Sequence, residues 1–276
     1  MDWTVLASYW PFVLALGFAG IVSGVAAGLL GIGGGAVIVP ALANSLLLMG
    51  YDGDVVQHVA VGTSLAIIIP TGIASARAHY KRGSLDKSVL KLWVPFIVAG
   101  TFIGGLMAGL FSGNVLRIVF AALAFLIAAN ILFSFQTKLM GHLKDSALAH
   151  RFSAFSVGYL SSLMGTGGGA LTVPTLVAFG RNMHGAVGTS AAIGVAIAVS
   201  GTAGFIMSGW NAVGLPPASL GFINLPALAL VGVLAAIFAP VGAALAHRLD
   251  QQMLKYVFAA FLVAVGLNML WTVVLG

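Results

Sequence analysis

Few side chains in this sequence can do chemistry, and their types limit what that chemistry is. There is no cysteine and no glutamate, and the six aspartates (Asp2, Asp52, Asp54, Asp86, Asp145 and Asp250) all fall in or beside predicted loops. No nucleophile–base pair, thiolate metal set or His-x-x-x-His spacing is present, so an enzyme, a metal site and a cofactor are not expected. What remains is backbone, hydroxyls and two histidines in repeated strings. Gly31-Ile32-Gly33-Gly34-Gly35-Ala36-Val37-Ile38-Val39-Pro40 returns as Gly165-Thr166-Gly167-Gly168-Gly169-Ala170-Leu171-Thr172-Val173-Pro174. His58-Val59-Ala60-Val61-Gly62-Thr63-Ser64 returns as His184-Gly185-Ala186-Val187-Gly188-Thr189-Ser190. A third pair, Leu116–Ala122 and Leu254–Ala260, follows in the same order.

Each glycine string feeds a predicted helix starting near Gly34 or Gly168. The first turn of a helix has unpaired N–H groups and the positive end of the helix dipole, and glycine allows close backbone approach. Two such ends facing one another would form a small anion site from Gly33, Gly34, Gly35, Gly167, Gly168 and Gly169, with the Thr166 hydroxyl on one side only. The other reading is that the glycines permit tight hairpin packing. Thr63, Ser64, Thr189 and Ser190 could donate to the same anion, or bond to neighbouring helices and their own preceding turn. His58 and His184 are the candidate groups for proton coupling or gating, against a reading as plain helix-start histidines. Arg117 and Lys255 occupy matching positions, where they could gather anions or anchor helix ends. Gly31-x-Gly33-x-x-Ala36 formally matches a dinucleotide fingerprint, but that motif needs a preceding strand and a soluble βαβ unit.

The elements that must position these groups lie in a membrane. Of the 276 residues 60% are hydrophobic and 7% charged, against ~25% charged in a soluble domain; mean hydropathy is +1.10. Backbone polar groups cannot be left bare in lipid, and runs this rich in Ala and Leu read as helices rather than barrel strands. Asp2, with no basic residue ahead of the first apolar run, argues against a cleaved signal peptide. The net charge of +6 is explained by loop placement, and no nucleic-acid partner is expected.

Apolar runs fall at 11–30, 34–49, 55–77, 92–111 and 115–135, then at 152–166, 168–180, 184–208, 223–245 and 253–275. Crossing a bilayer takes about 20 residues. The 13 residues of 168–180 would reach roughly 20 Å as a helix. The first two segments of each half are therefore read as half-depth helices with the glycine string at their tip. Three full spans per half, an odd number, invert the second half relative to the first. The predicted fold is an all-α polytopic membrane protein of inverted five-segment repeats, each a re-entrant helical hairpin plus three transmembrane helices. Repeat 1 covers 1–135, a cytoplasmic linker 136–151 and repeat 2 152–276.

The basic residues fit that inversion. Arg77, Lys81, Arg82, Lys87 and Lys91 cluster around loop 78–91, and its counterpart 209–222 has no Lys or Arg. Under the positive-inside rule the first is cytoplasmic and the second external. Alternation then puts eleven of the twelve Lys and Arg inside, leaving Arg117 outside. Both termini are external, in a cell inner membrane. Gly20-x-x-x-Gly24-x-x-x-Gly28, Gly100 with Gly104, and Gly105 with Gly109 read as packing stripes, within one chain or between two copies; monomer and homodimer both remain open.

The paired Gly-x-Gly-Gly-Gly-x-x-x-x-Pro, each followed by a string like Ala-Val-Gly-Thr-Ser, resembles the TauE/SafE family of membrane transporters over nearly the whole chain. The resemblance implies transport of a small sulfur-containing anion, with sulfite, thiosulfate and organosulfonates as candidates. The predicted interior has dipoles and hydroxyls but no acid to repel such an anion. An inside-negative potential favours anion exit by roughly 2.3 kcal/mol per charge per 100 mV, which points to export. A channel of the same architecture and a proton-coupled uptake carrier remain the alternatives.

Overall fold

The computed structural model describes residues 3–30, 34–133, 146–246 and 251–275. Their order is α1 (Trp3–Leu30), α2 (Gly35–Leu48), α3 (Gly53–Lys81), α4 (Lys87–Ala108) and α5 (Gly113–Phe133). Then come α6 (Ala147–Met164), α7 (Gly169–Ala178), α8 (Met183–Ser208), strands β1 (Ser219–Leu220) and β2 (Ile223–Asn224), α9 (Leu225–Ala246) and α10 (Gln251–Leu275). Residues 136–145 of the predicted linker lie outside the described residues, as do Asp2 and Asp250.

Among the described residues, six helices are long and apolar enough to cross a membrane: α3, α4, α5, α8, Leu225–Gly242 of α9 and Tyr256–Val274 of α10. The loop acids and amides start them. Asp52 accepts from the Asp54 N–H at the head of α3, Asp86 from Ser88 and Val89 at α4, and Asn182 from Gly185 at α8. Asn224 does the same for Ala227 in α9 at 3.0 Å. Each cap satisfies a first-turn N–H that the helix cannot bond itself.

Helices α3 and α8 form the buried centre and run antiparallel. Gly62, near the start of α3, lies against Phe205, near the end of α8, while Asp86, just past α3, bonds to Thr189 at the start of α8. Around them α4 packs on α6 and α8, α9 packs on α1 and α3, and α5 lies along α10. The glycine stripes are contact faces. A Cβ on Gly24 would sit 2.6 Å from the Ala235 carbonyl oxygen of α9, and one on Gly100 would strike the Phe155 carbonyl of α6.

Two features differ from the sequence reading. Helix α1 has 28 residues, about 42 Å at 1.5 Å per residue, longer than a half-depth helix; α2, α6 and α7 are shorter, at 14, 18 and 10 residues. The loop at 209–222 runs into an antiparallel hairpin that pairs Ser219 with Asn224 and Leu220 with Ile223. It forms because Gly221, at φ +55°, turns the chain where its backbone meets Ile206. Phe222, Ile223 and Asn224 are buried, so this segment is seated rather than free.

Candidate functional site

The two glycine strings approach one another at the centre. Gly31, Ile32 and Gly33 lie outside the described residues; Gly34 and Gly35 begin α2. Gly34 is left-handed at φ +69°, and its carbonyl accepts from Val37 and Ile38. In the second half Gly165, at φ +71°, ends α6, and Gly168, at φ +80°, heads α7. The reversal is closed by the N–H groups of Gly165 and Thr166, which donate to Ser162 and Ser161 at 3.2 Å each. Left-handed backbone costs a residue with a side chain ~1–2 kcal/mol, so glycine is required at these points. A Cβ on Gly35 would run into the Gly165 carbonyl and lie 3.0 Å from Thr166 Cα, so the two tips touch.

Three hydroxyls crowd the second tip without a partner. Ser161, Thr166 and Thr172 are buried, and none of their oxygens makes a hydrogen bond. Thr172 stands over the start of α7, its hydroxyl oxygen 3.2 Å from where a Cβ on Gly168 would be. Buried hydroxyls are normally paired, and an unmet one costs ~1–3 kcal/mol. Gln57, fully buried in α3, also has both amide atoms unpaired. It shares a face of α3 with Val61, Ser64 and Ile68, at successive turn spacings. That face meets the tip: Val61 Cα lies 3.1 Å, and Ile68 Cγ2 2.8 Å, from Cβ positions built on Gly165 and Gly167.

Sequence reasoning named Thr166 and missed Ser161, Thr172 and Gln57. The signal was present for Thr172, which occupies the position of Ile38 in the first copy, and for Ser161, one turn before Gly165. Gly167 and Gly169 lie at this tip, and Gly167 is closed over by Ile68.

The Thr-Ser pairs divide by role. Ser64 Oγ donates to the Gly165 carbonyl at 2.8 Å, tying α3 to the tip, and Ser190 Oγ donates to Val187 in its own helix at 2.8 Å. Thr63 Oγ1 accepts the Asn224 N–H at 2.9 Å, and Thr189 Oγ1 accepts the Asp86 N–H at 2.9 Å. Both threonines thus hold the cap residue that starts α9 or α4.

The histidines part company. His58 is buried under the Phe222 ring, with centroids 4.8 Å apart. Its Nδ1 faces the Asp54 carbonyl and its Nε2 the Ala108 carbonyl at 2.8 Å. A neutral imidazole has one N–H, so it can donate to one of these oxygens at a time. His184 is exposed and lines a cavity at the other end of the molecule. Arg117 is buried, its guanidinium donating to Gly53 O and Asn114 Oδ1 at 2.8 Å each; it fastens α5 to α3 and does not open toward a mouth. The Lys255 side chain lies outside the described residues. No group of three His, Cys, Asp or Glu that could hold a metal occurs among the described residues.

Six membrane-length helices among the described residues, around a glycine-lined polar centre, define a multi-pass membrane protein. The family model described as sulfite exporter TauE/SafE matches residues 16–269, and the chain belongs to that family. It is similar to a probable membrane transporter protein of Haemophilus influenzae, 36% identical over 260 residues, covering 94% of this chain and 98% of that one. Bacillus subtilis YunE, also a probable membrane transporter protein, is 30% identical over 176 residues, covering 57% of this chain and 64% of that one. A probable membrane transporter protein of Methanocaldococcus jannaschii is 23% identical over 261 residues, covering 94% and 95%. No solved structure matches the chain. The protein is a membrane transporter, not an enzyme.

Proposed function

We propose that this transporter carries a small sulfur-containing anion, sulfite, thiosulfate or an organosulfonate, across the cell inner membrane by alternating access, in the direction of export. The observation that carries this reading is the second tip. There the N-terminus of α7 and the left-handed Gly168 lie beside the buried, unpartnered hydroxyls of Thr166 and Thr172, with that of Ser161 one turn back in α6, and no carboxylate is buried among the described residues. An anion gives those donors their acceptor, and they replace the water it sheds. The contact of Gly35 with Gly165 and Thr166 supports a substrate held where the halves meet.

The halves are inverted repeats in this reading. Supporting it, α3 runs antiparallel to its counterpart α8, and α1 packs on α9 as α6 packs on α4. Inverted repeats with broken segments meeting near the midplane are the architecture of alternating-access carriers. Helices α2 and α7 are the short returning arms of the two re-entrant hairpins. The α3–α4 turn faces the cytoplasm, and the α8–α9 hairpin and both termini face outward.

The test is a thermal-shift panel of sulfite, thiosulfate, sulfate, methanesulfonate and acetate on the purified protein. Stabilisation confined to sulfur anions and lost in Thr166→Val and Thr172→Val, which keep side-chain shape, is the expected result. A panel that shifts nothing, or shifts that both variants leave intact, would return the tip to a packing role. These variants are preferred to Gly168→Val, because a Cβ at Gly168 would strike Ile197.

A further inference from the structure

Between the two central helices, at the end where α3 stops and α8 begins, an open groove of about 360 Å³ runs along the outside of the molecule. Ile73 and Ala76 of α3 form one wall, and Ala192 and Val195 of α8 the other. Its floor is the close approach of the helices themselves: a Cβ on Gly72 would lie 3.3 Å from Val195 Cγ2. Among the described residues only two polar side chains line it, Arg77 and Tyr80, and both stand near the end of α3.

The two kinds of surface lie at different depths. Arg77 is one turn before Lys81, the last residue of α3. Ala192 and Val195 are roughly 14 and 18 Å beyond the start of α8, at 1.5 Å per residue. Both helices are of membrane length, so the apolar walls sit among acyl chains and the guanidinium at headgroup level, where basic and aromatic side chains gather. The Arg77 side chain is exposed and has no hydrogen bond, ion pair or ring contact among the described residues. The nearby acid, Asp86, is already paired with Arg181 at 3.3 Å. Lys87 Nζ, 5.8 Å from the centre of the Tyr80 ring, adds a second positive charge at the groove's rim.

The duplication does not require this rim. In the register that pairs His58 with His184, Arg77 and Tyr80 match Ala203 and Ile206. The cation and the phenol therefore belong to one end of the molecule and not to the repeated plan.

We infer that the groove holds one anionic phospholipid, its phosphate on Arg77 and an acyl chain along Ile73, Ala76, Ala192 and Val195. A guanidinium presents two parallel N–H groups to phosphate oxygens, and the Tyr80 hydroxyl can donate to a further one. A free oxyanion would meet the cation and leave the apolar walls unused. The groove alone gives the class of ligand; only its leaflet, the cytoplasmic one, rests on the orientation proposed above. The lipid lies directly behind the second tip. Ile68, which closes over Gly167, is 3.9 Å from a Cβ on Gly72, and a Cβ on Gly194, beside Val195, would strike the Gly167 carbonyl. A filled groove thus braces α3 and α8 where they hold that tip.

The experiment is native mass spectrometry of the delipidated full-length protein in non-ionic detergent. The probes are palmitoyl-oleoyl phosphatidylglycerol, the phosphatidylcholine with the same chains, and inorganic phosphate. Wild type retains one phosphatidylglycerol in preference to phosphatidylcholine, and excess inorganic phosphate does not displace it. Arg77→Gln weakens phosphatidylglycerol binding by about fivefold or more, the effect of one basic side chain at an anionic surface, and removes the preference. Arg82→Gln, at an exposed cation outside the groove, leaves the preference intact. Equal affinity for the two lipids in wild type would overturn the inference. Equal losses in Arg77→Gln and Arg82→Gln would reduce the preference to general surface charge and overturn it too, as would displacement by inorganic phosphate, the mark of a free-ion site. Arg77 has no bond to lose, so Arg77→Gln keeps the melting temperature of the delipidated wild type; a lowered one would make Arg77 a structural contact and count against the site. None of these outcomes depends on sulfite, so the tip reading and this one fail separately.

Discussion

Thr63 and Thr189 show how the same residue type at the same spacing can serve opposite ends. In the sequence they are hydroxyls near a predicted anion, free to donate. In the fold each is an acceptor, taking the backbone N–H of Asn224 or Asp86 at 2.9 Å. Thr63→Val leaves the buried Asn224 N–H unmet, at a cost of about 1–3 kcal/mol. The expected outcome is a lower melting temperature with sulfite affinity unchanged; a variant of wild-type stability that has lost sulfite binding would move Thr63 into the substrate site. Thr166 behaves in the contrary way, with no bond of its own to lose, so its replacement by valine is expected to alter binding and not stability. The difference was not legible in the string, because the partner of Thr63 lies 161 residues away, on a residue read as the start of the apolar run 223–245.

At the scale of elements the apolar runs carried most of the information. Lipid demands a closed backbone hydrogen-bond ladder over a fixed thickness, so length and composition alone mark the six long helices. The glycine stripes were legible too, as positions where helices come close. Gly100→Ala places a methyl against the Phe155 carbonyl, and the α4–α6 contact must open. Gly50→Ala, with no atom within 4 Å of its new Cβ at φ +84°, incurs only left-handed strain of about 1–2 kcal/mol. Detergent-solubilised Gly100→Ala is therefore expected to elute as aggregate or at much reduced yield, and Gly50→Ala as wild type with a modestly lower melting temperature. Equal behaviour of the two would contradict the packing described for α4 and α6. The α8–α9 hairpin was missed for a physical reason: two strands of two residues each have no period to detect, and their stability comes from the groove between α3 and α8 that receives Phe222 and Ile223. The length of α1 was misjudged because its counterpart, the short run at 152–166, set the expectation for both.

For the molecule as a whole, the distribution of Lys and Arg predicts an orientation in the membrane. The absence of cysteine makes the orientation directly testable. A single cysteine at Val213, 86% exposed beyond α8, is expected to react with a membrane-impermeant maleimide in intact cells. One at Arg82, exposed at the end of α3, is expected to react only after permeabilisation. Labelling of both from the same side would refute the inverted arrangement.

Phe222 and Ser84 hold matching places, their carbonyls against Gly62 and Gly188, and the difference between the two side chains bears on energetics as well as shape. Two halves of one plan, related by inversion, would make the outward-facing and inward-facing states near mirror images of nearly equal free energy. Under the alternating access proposed above, an aromatic ring seated on His58 at one end and a serine at the other remove that degeneracy: burying the ring stabilises closure on the Phe222 side by an amount the serine cannot match. Such a bias leaves the end point of transport unchanged, since that depends on the gradient alone. What it sets is the side from which an unloaded carrier waits, and so the side whose anion concentration half-saturates it first. In a carrier of this design the half-saturating concentrations measured from the two faces are unequal, and Phe222→Ser draws them together.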